Sequence, residues 1–410
     1  MTSTLPTLES TPAAPAPLRP RGSNHVGMRA FNERVVLQAI RLHGALPKAE
    51  VARLTGLTAQ TIGLITTRLE EDGLLLRQER VRGRIGQPSV PLALNPDGAF
   101  SLGLKIGRRS ADWLLVDFTG AVRERRSLDY AFPDLGQLLP AIQDNIAALS
   151  NSLGPLAERL VGVGVAAPFQ LGGWHRMLGL SENQSQQWNT IDLRAEVQRM
   201  TEAPVIFAKD TAAACVAELV GGRGRDIKSF LYLFIDTFVG GGLVINSHLH
   251  TGKHGNAGAV ASLPMGLGGE VHTAEQLVTR ASLWDLEQRY LALHLDPSAA
   301  YDERALSEPY LVETQAWIAK AANALAHSIV SGTAFLDVDA VVIDGSFSRA
   351  VLDLVIAQTT AALAHYNWEG LWPTSVVAGT TGPDARALGG ALLPLHANFA
   401  PDQDLFLKVS

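Results

Sequence analysis

Apolar residues recur at helical spacing from Met28 to Asp72, whereas beyond Phe100 short apolar runs alternate with helical stretches. The first region predicts three helices. Met28–His43 carries Val35, Val36, Leu37, Ile40 and Leu42 and stops at Gly44. Pro47 suits the first turn of a second helix, Lys48–Leu54. Thr58 is an N-cap type and Gly73 a stop, so a third helix runs to about Asp72. Leu57, Ile62, Ile65 and Leu69 place its apolar side on a core. Two extended runs, Leu74–Gln78 and Ser89–Leu94, then flank a Gly- and Arg-rich tip.

The second region predicts strands at Ser101–Gly107, Asp112–Phe118 and Val122–Tyr130, then a helix over Asp134–Leu153. A strand Leu160–Ala166, a helix Ile191–Met200, a strand Pro204–Ala208 and a helix Thr211–Val220 follow. The order then repeats. Strands are expected at Ser229–Asp236, Gly241–Asn246 and His248–Thr251, with a largely helical stretch from Thr273 to Leu336. Ala340–Asp344, Ser348–His365, Thr374–Gly379 and Asp384–His396 alternate strand and helix to the end. A three-strand meander followed by alternating helix and strand, met twice, predicts an α/β fold of two lobes with a cleft between them. Ligands commonly bind in such clefts.

Helix, helix, helix and Arg-rich hairpin is the order of a winged helix-turn-helix, expected over residues 25–95. Thr58, Ala59, Gln60, Thr61 and Thr67 lie away from the core on the third helix, and are short or uncharged enough to approach base edges. Arg80, Arg82 and Arg84, with Gln87, sit on the tip, placed to hold phosphates or a minor groove. An ordinary helical hairpin with a solvated charged loop is the plainer reading. Residues 1–24, rich in Pro, Ala, Thr and Ser, predict a disordered arm whose basic end, Arg19 to Asn24, is able to touch phosphates.

The chain of 410 residues has a net charge of −6, which by itself argues against a nucleic-acid partner. Its distribution reverses that inference: residues 25–100 carry +3 and residues 101–410 carry −10. A single cysteine, Cys215, excludes an internal disulfide framework and a cysteine-based zinc site. Without a signal pattern or a long apolar run, a cytoplasmic protein with no membrane association is expected.

Several motifs carry a resemblance. They include Gly22-Ser-Asn24, Gly86-Gln-Pro88, Val116-Asp-Phe-Thr-Gly120, Val161-Gly-Val-Gly-Val165, Lys209-Asp-Thr-Ala-Ala-Ala, Val239-Gly-Gly-Gly-Leu and Gly255-Asn-Ala-Gly258. From about Gly22 to His396 the chain resembles the ROK family of repressors and sugar kinases. The resemblance implies an actin-like (hexokinase-like) ATPase fold for residues 96–410, and a sugar-responsive regulator where a winged helix precedes it. It places Asp210 on the family's catalytic aspartate; an N-cap aspartate for the helix that follows is compatible with that role. Asn183, shortly before Trp188, resembles a sugar-contacting asparagine, although the spacing is loose and its residues favour a plain loop asparagine. Glu275 aligns with a second sugar contact.

The departures fall on the chemistry. Where the family has Asp-x-Gly-Gly-Thr, this chain has Lys105-Ile-Gly-Arg-Arg109, whose long side chains crowd a phosphate loop. Asp236-Thr-Phe-Val-Gly-Gly-Gly242 resembles the second phosphate loop with both glycines around Thr237 changed. The family's Glu and His positions are Ala259 and Ser262, and Pro264–Thr273 has no cysteine, so neither zinc nor another cofactor is expected. Gly345 and Gly389-Gly390 match glycines near the adenosine pocket.

The resulting expectation is a DNA-binding transcriptional regulator, a repressor, whose degenerate kinase-like lobes bind a sugar or related effector and assemble into a homodimer or homotetramer on a double-stranded operator. An active ATP-dependent sugar kinase with an attached DNA-binding domain is the alternative. A ligand-blind DNA-binding scaffold is the third.

Overall fold

The computed structural model describes residues 25–79, 90–168, 182–268 and 273–401. Three helices open it: α1 (His25–His43), α2 (Lys48–Thr55) and α3 (Ala59–Glu71). They pack through the faces their periodicity predicts, with Val36, Leu37, Ile40, Val51, Ile62, Ile65 and Leu69 buried together. Between α2 and α3 the chain reverses at Gly56, whose φ of 69° is one that a Cβ disfavours. Thr58 then caps α3, its side chain accepting the Thr61 N–H at 3.2 Å. β1 (Leu75–Arg77) pairs antiparallel with β2 (Leu92–Leu94), a shorter hairpin stem than the apolar runs imply. Arg80, Arg82, Arg84 and Gln87 at its tip, like residues 1–24, lie outside the described residues.

Two five-stranded mixed sheets follow. The first comprises β3 (Phe100–Ile106), β4 (Ser110–Asp117), β5 (Val122–Asp129), β6 (Leu160–Ala167) and β7 (Val205–Lys209), in the order β5-β4-β3-β6-β7. β5, β4 and β3 are antiparallel neighbours, whereas β6 and β7 join in parallel. The second comprises β8 (Phe230–Ile235), β9 (Gly240–Ile245), β10 (His248–His250), β11 (Ala340–Gly345) and β12 (Ser375–Ala378), in the order β10-β9-β8-β11-β12. Its antiparallel and parallel pairings repeat those of the first, so the repeated sequence pattern is a repeated topology.

Helices cover and join the sheets. α4 (Leu135–Ser152) lays Leu138, Ile142, Ile146 and Leu149 on the outer face of the first sheet, in one cluster with Trp113 and Leu104. α5 (Glu182–Thr190), α6 (Leu193–Gln198) and α7 (Asp210–Gly221) complete the first half of the chain. α8 (Val278–Ala281), α9 (Leu283–Ala292), α10 (Leu311–Leu336) and α11 (Arg349–Leu363) belong to the second core with Tyr290, Trp317 and Phe347.

The last helix, α12 (Ala385–Phe399), crosses back to pack on β3 and β6, while α7 packs on β9. The two lobes thus share the α7–α12 pair. A Cβ at Gly389 would lie 1.7 Å from the Ala213 carbonyl oxygen, so this pair reaches its spacing only with glycine there. Among the described residues no helix is long and apolar enough to cross a membrane.

Local expectations need three corrections. Asp210 does not cap α7: Lys209 holds the cap position, and Asp210 begins the helix with its Oδ1 accepting the Thr211 N–H at 2.8 Å. Asn183 is part of α5, not of a loop. The helix expected over Ile191–Met200 is only α6, because the Asp192 side chain accepts the Ala195 N–H at 3.0 Å and starts it there.

Candidate DNA-reading surface and inter-lobe cavity

On α3 the exposed strip contains Ala59, Gln60, Leu64 and Thr67, with Thr58 just before it and Thr61 half-buried beside it. The hydroxyls are partly engaged within the chain. Thr58 and Thr61 share a hydrogen bond of 2.9 Å, and Thr67 donates to the Gly63 carbonyl at 2.9 Å. A Gln side chain carries two donors and an acceptor, and Gln60 is the only residue of the predicted set on α3 with an amide to offer. Leu64 lies outside the set that the sequence pattern selects, yet it is 67% exposed at the middle of the strip. Its position one turn from Gln60 could have signalled it, and its apolar end suits a thymine methyl. Several basic side chains near the helix are paired internally, Arg68 with Glu33 at 2.7 Å and Arg77 with Glu70 at 2.7 Å.

The helical module is bolted to the lobes. Arg41 of α1 donates to the Phe118 carbonyl at 2.9 Å and lies 5.2 Å over its ring. Desolvation there pulls the Arg41 pKa down to about 10 against the opposing charge of Asp117. Phe118 in turn meets Phe399, at the end of α12, edge-on at 4.7 Å. Arg225 donates to the Leu42 carbonyl, and Arg34 to that of Ala400 at 3.4 Å.

Between the lobes lies a cavity of about 280 Å³. Lys209, Asp210 and Arg108 line it from one side, and Asp236, Asn256 and Ser262 from the other. Arg386, from the first turn of α12, sits between the two aspartates. Its Nη1 is 3.6 Å from Asp210 Oδ2 and closer still to Asp236 Oδ2, and its guanidinium lies 5.5 Å over the Phe234 ring. Burial acts to lower the Arg386 pKa, but Asp236 and Asp210 outweigh it and raise the value. Arg386 Nε has no hydrogen-bond partner among the described residues. Nothing in the sequence marks Arg386, since its pairing depends on α12 returning to the first lobe.

Both loops around the cavity are tied down by this chain's own side chains. Lys105 bonds Asp112 at 2.9 Å and Ser110 at 2.8 Å, and burial lowers its pKa, with Arg386 contributing. Arg108 and Arg109 do not crowd their own loop as the sequence implies; they reach across to Glu287 of α9, at 3.3 and 2.8 Å. Glu287 also accepts the Tyr301 hydroxyl at 2.6 Å, and that hydroxyl is 3.0 Å from Thr237 Oγ1. The Asp236–Val239 loop is held from behind. Its carbonyls at Asp236 and Thr237 accept the N–H groups of Leu283 and Trp284, and Ser282 Oγ accepts from Val239 N–H at 2.9 Å.

The predicted ligand residues divide. Asp210 lines the cavity, together with Ala259 and Ser262. Glu275 does not; it is exposed and paired with Arg280. The Asn183 side chain lies outside the described residues. Among the described residues no group of three His, Cys, Asp or Glu side chains is placed to hold a metal ion.

Deprotonating a sugar hydroxyl needs a carboxylate free to face it, and phosphate transfer needs loop amides open to the triphosphate. Here the aspartate is engaged by a guanidinium and the first loop is closed by an ion pair. Among known proteins, the family model described as the ROK family matches residues 101–397. The xylose repressor of Bacillus subtilis (strain 168) is 22% identical over 246 residues, covering 59% of this chain and 62% of that protein. The chain thus spans under two thirds of that relative's length. The N-acetylglucosamine repressor of Escherichia coli O157:H7 is 23% identical over 319 residues, covering 75% of each. A solved ROK family transcriptional regulator, described as a homologue of the E. coli MLC protein, superposes with a TM-score of 0.65 at 20% identity, covering 91% of this chain and 98% of that one. A ROK family glucokinase from Streptomyces griseus, solved with glucose and AMPPNP, superposes with a TM-score of 0.56 at 19% identity, covering 72% of this chain and 99% of that one.

Proposed function

Since the chain belongs to the ROK family, we propose that it is a DNA-binding transcriptional regulator, a repressor, whose lobes sense a sugar or sugar derivative without phosphorylating it. α3 enters the major groove, with Gln60 and Leu64 at base edges and the Arg80, Arg82 and Arg84 tip on the backbone. Two copies act together, so that paired modules reach two half-sites on one operator. The relatives named as xylose and N-acetylglucosamine repressors support an effector of the sugar class.

One observation carries the regulatory part. α12 begins in the cavity with Arg386 and ends beside α1 of the DNA module, where Arg34 donates to the carbonyl of Ala400 just past Phe399, about 20 Å away along the helix. A ligand that competes with Arg386 for Asp210 or Asp236 shifts the near end of a helix whose far end seats α1. Regulation requires that the effector bind the two resulting states with different affinity.

The absence of turnover is part of the proposal. It rests on Arg386 against Asp210 and on Arg108 and Arg109 against Glu287. The test is genomic DNA selection by the purified protein, with and without a sugar library, beside a phosphoryl-transfer assay with Mg·ATP. Enrichment of a palindromic site that one sugar abolishes supports the proposal. No enrichment under any condition, or sugar phosphorylation that Asp210→Asn abolishes, overturns it.

A further inference from the structure

The charges around the cavity do not balance. On its floor the carboxylates of Asp210 and Asp236 share one guanidinium, that of Arg386. Behind its lining the single buried carboxylate of Glu287 is shared by Arg108 and Arg109. Lys105 and Asp112 neutralise each other. Lys209 stands apart: its Nζ donates to the amide oxygen of Asn256 at 3.4 Å and pairs with no carboxylate among the described residues. Counting these groups, the cavity has a surplus of one positive charge, and Lys209 carries it into the space.

The donors around Lys209 point to what neutralises it. Asn256 offers its amide oxygen to the ammonium, which leaves its Nδ2 hydrogens for an acceptor on the same side. Arg108 is bonded to Glu287 through Nη1 alone, and it lines the same cavity. Burial lowers the Lys209 pKa and the nearby Asp210 carboxylate opposes it only in part, the direction expected of a half-buried ammonium without a full counter-charge. An anion beside Lys209 and Asn256 supplies that counter-charge. At about 280 Å³ the cavity matches about nine waters in bulk volume, enough for one sugar ring with a substituent.

We infer that the effector is a monosaccharide derivative bearing one carboxylate or phosphate, held by Lys209 and Asn256, with its hydroxyls toward Asp210 and Ser262. The inference rests on reading the cavity as the effector site. A carboxylate and a phosphate present the same chemistry to Lys209, an anionic oxygen on a polyol.

Calorimetric titration of the full chain at constant ionic strength separates the sources, with glucose, gluconate, glucuronate, glucose 6-phosphate and inorganic phosphate as probes. At least one anionic sugar is expected to bind more tightly than glucose and than phosphate alone. Lys209→Met is expected to weaken it by about tenfold or more, with glucose unaffected. Asn256 is exposed, so Asn256→Asp retains the fold while setting a like charge against the anion, and a similar loss is expected. Which anionic arm responds identifies carboxylate or phosphate. The inference is overturned if no anionic sugar binds, if glucose binds as tightly as any of them, or if Lys209→Met weakens neutral and anionic probes alike. DNA selection on the same samples keeps the two readings distinct. Retained DNA binding with no anionic ligand sinks only the effector class, whereas loss of DNA binding in the unmodified protein sinks the regulator itself.

Discussion

Replacing Arg386 by Met tests whether one guanidinium holds the two halves of the cavity together. Methionine keeps much of the stem and removes the charge that Asp210 and Asp236 share. Both aspartates are about 9% exposed, so only water inside the cavity they line can replace part of the lost interaction. Breaking a buried ion pair from one side costs about 3–5 kcal/mol. A ceiling follows from proton uptake. An aspartate with a reference pKa near 3.9 takes a proton at pH 7 for about 4 kcal/mol, which caps the electrostatic cost for one carboxylate. The expected destabilisation is therefore about 3–4 kcal/mol at pH 7.

Urea unfolding followed by tryptophan fluorescence is the assay. All seven tryptophans lie at or beyond position 113, so the signal reports the lobes and not the three-helix module. Adding Asp236→Asn to the variant is expected to restore more than half of the loss. A change under about 1 kcal/mol refutes the reasoning and means that solvent compensates both carboxylates.

The exposed strip of α3 predicts that Leu64→Ala leaves thermal stability within about 0.5 kcal/mol of wild type while weakening operator binding several-fold. Gln60→Ala is expected to relax preference at one base position by about 1–3 kcal/mol, and unchanged relative affinities for variant sites would count against this placement. Glu287→Gln removes the charge that holds Arg108, Arg109 and Tyr301 together, so the lobes should open and scattering should give a larger radius of gyration. An identical scattering profile argues that the shared α7–α12 pair alone sets the cleft. His396, near Arg41 and His248 where α12 meets the module, has its pKa pulled down to about 4, chiefly by desolvation. The unfolded state then binds the extra proton first, and stability is lost as pH falls from about 6.5 to 4, by roughly 2–3 kcal/mol. His396→Gln should flatten that part of the acid-stability curve.

Much of the architecture was legible because it is written in local or periodic terms. Thr58 and Gly73 bound α3 almost to the residue, since capping and the left-handed stop involve only neighbours in the chain. The two lobes were legible because each strand announces its burial and the order of elements repeats. The departures at Lys105, Arg108, Ala259 and Ser262 were also readable, and three of these four line the cavity or its floor as their positions imply.

Partner choice was not legible. Long side chains at Arg108 and Arg109 suggest a crowded loop, but whether they crowd it or cross the cleft depends on where α9 puts Glu287. Gly389 reads as a nucleotide-site glycine, and the packing gives it a different reason: the Ala213 carbonyl lies where its Cβ would be. Arg386 carries no signal, because its two aspartates come from the start of α7 and the end of β8. The amino-acid sequence by itself determined the helices, the strands, the duplication and the loss of the usual phosphate-loop residues, all of which depend on short-range sterics and on burial along one element. Only the tertiary structure decided which charges meet, because an ion pair depends on the distance between atoms that the chain brings together only after both lobes have formed.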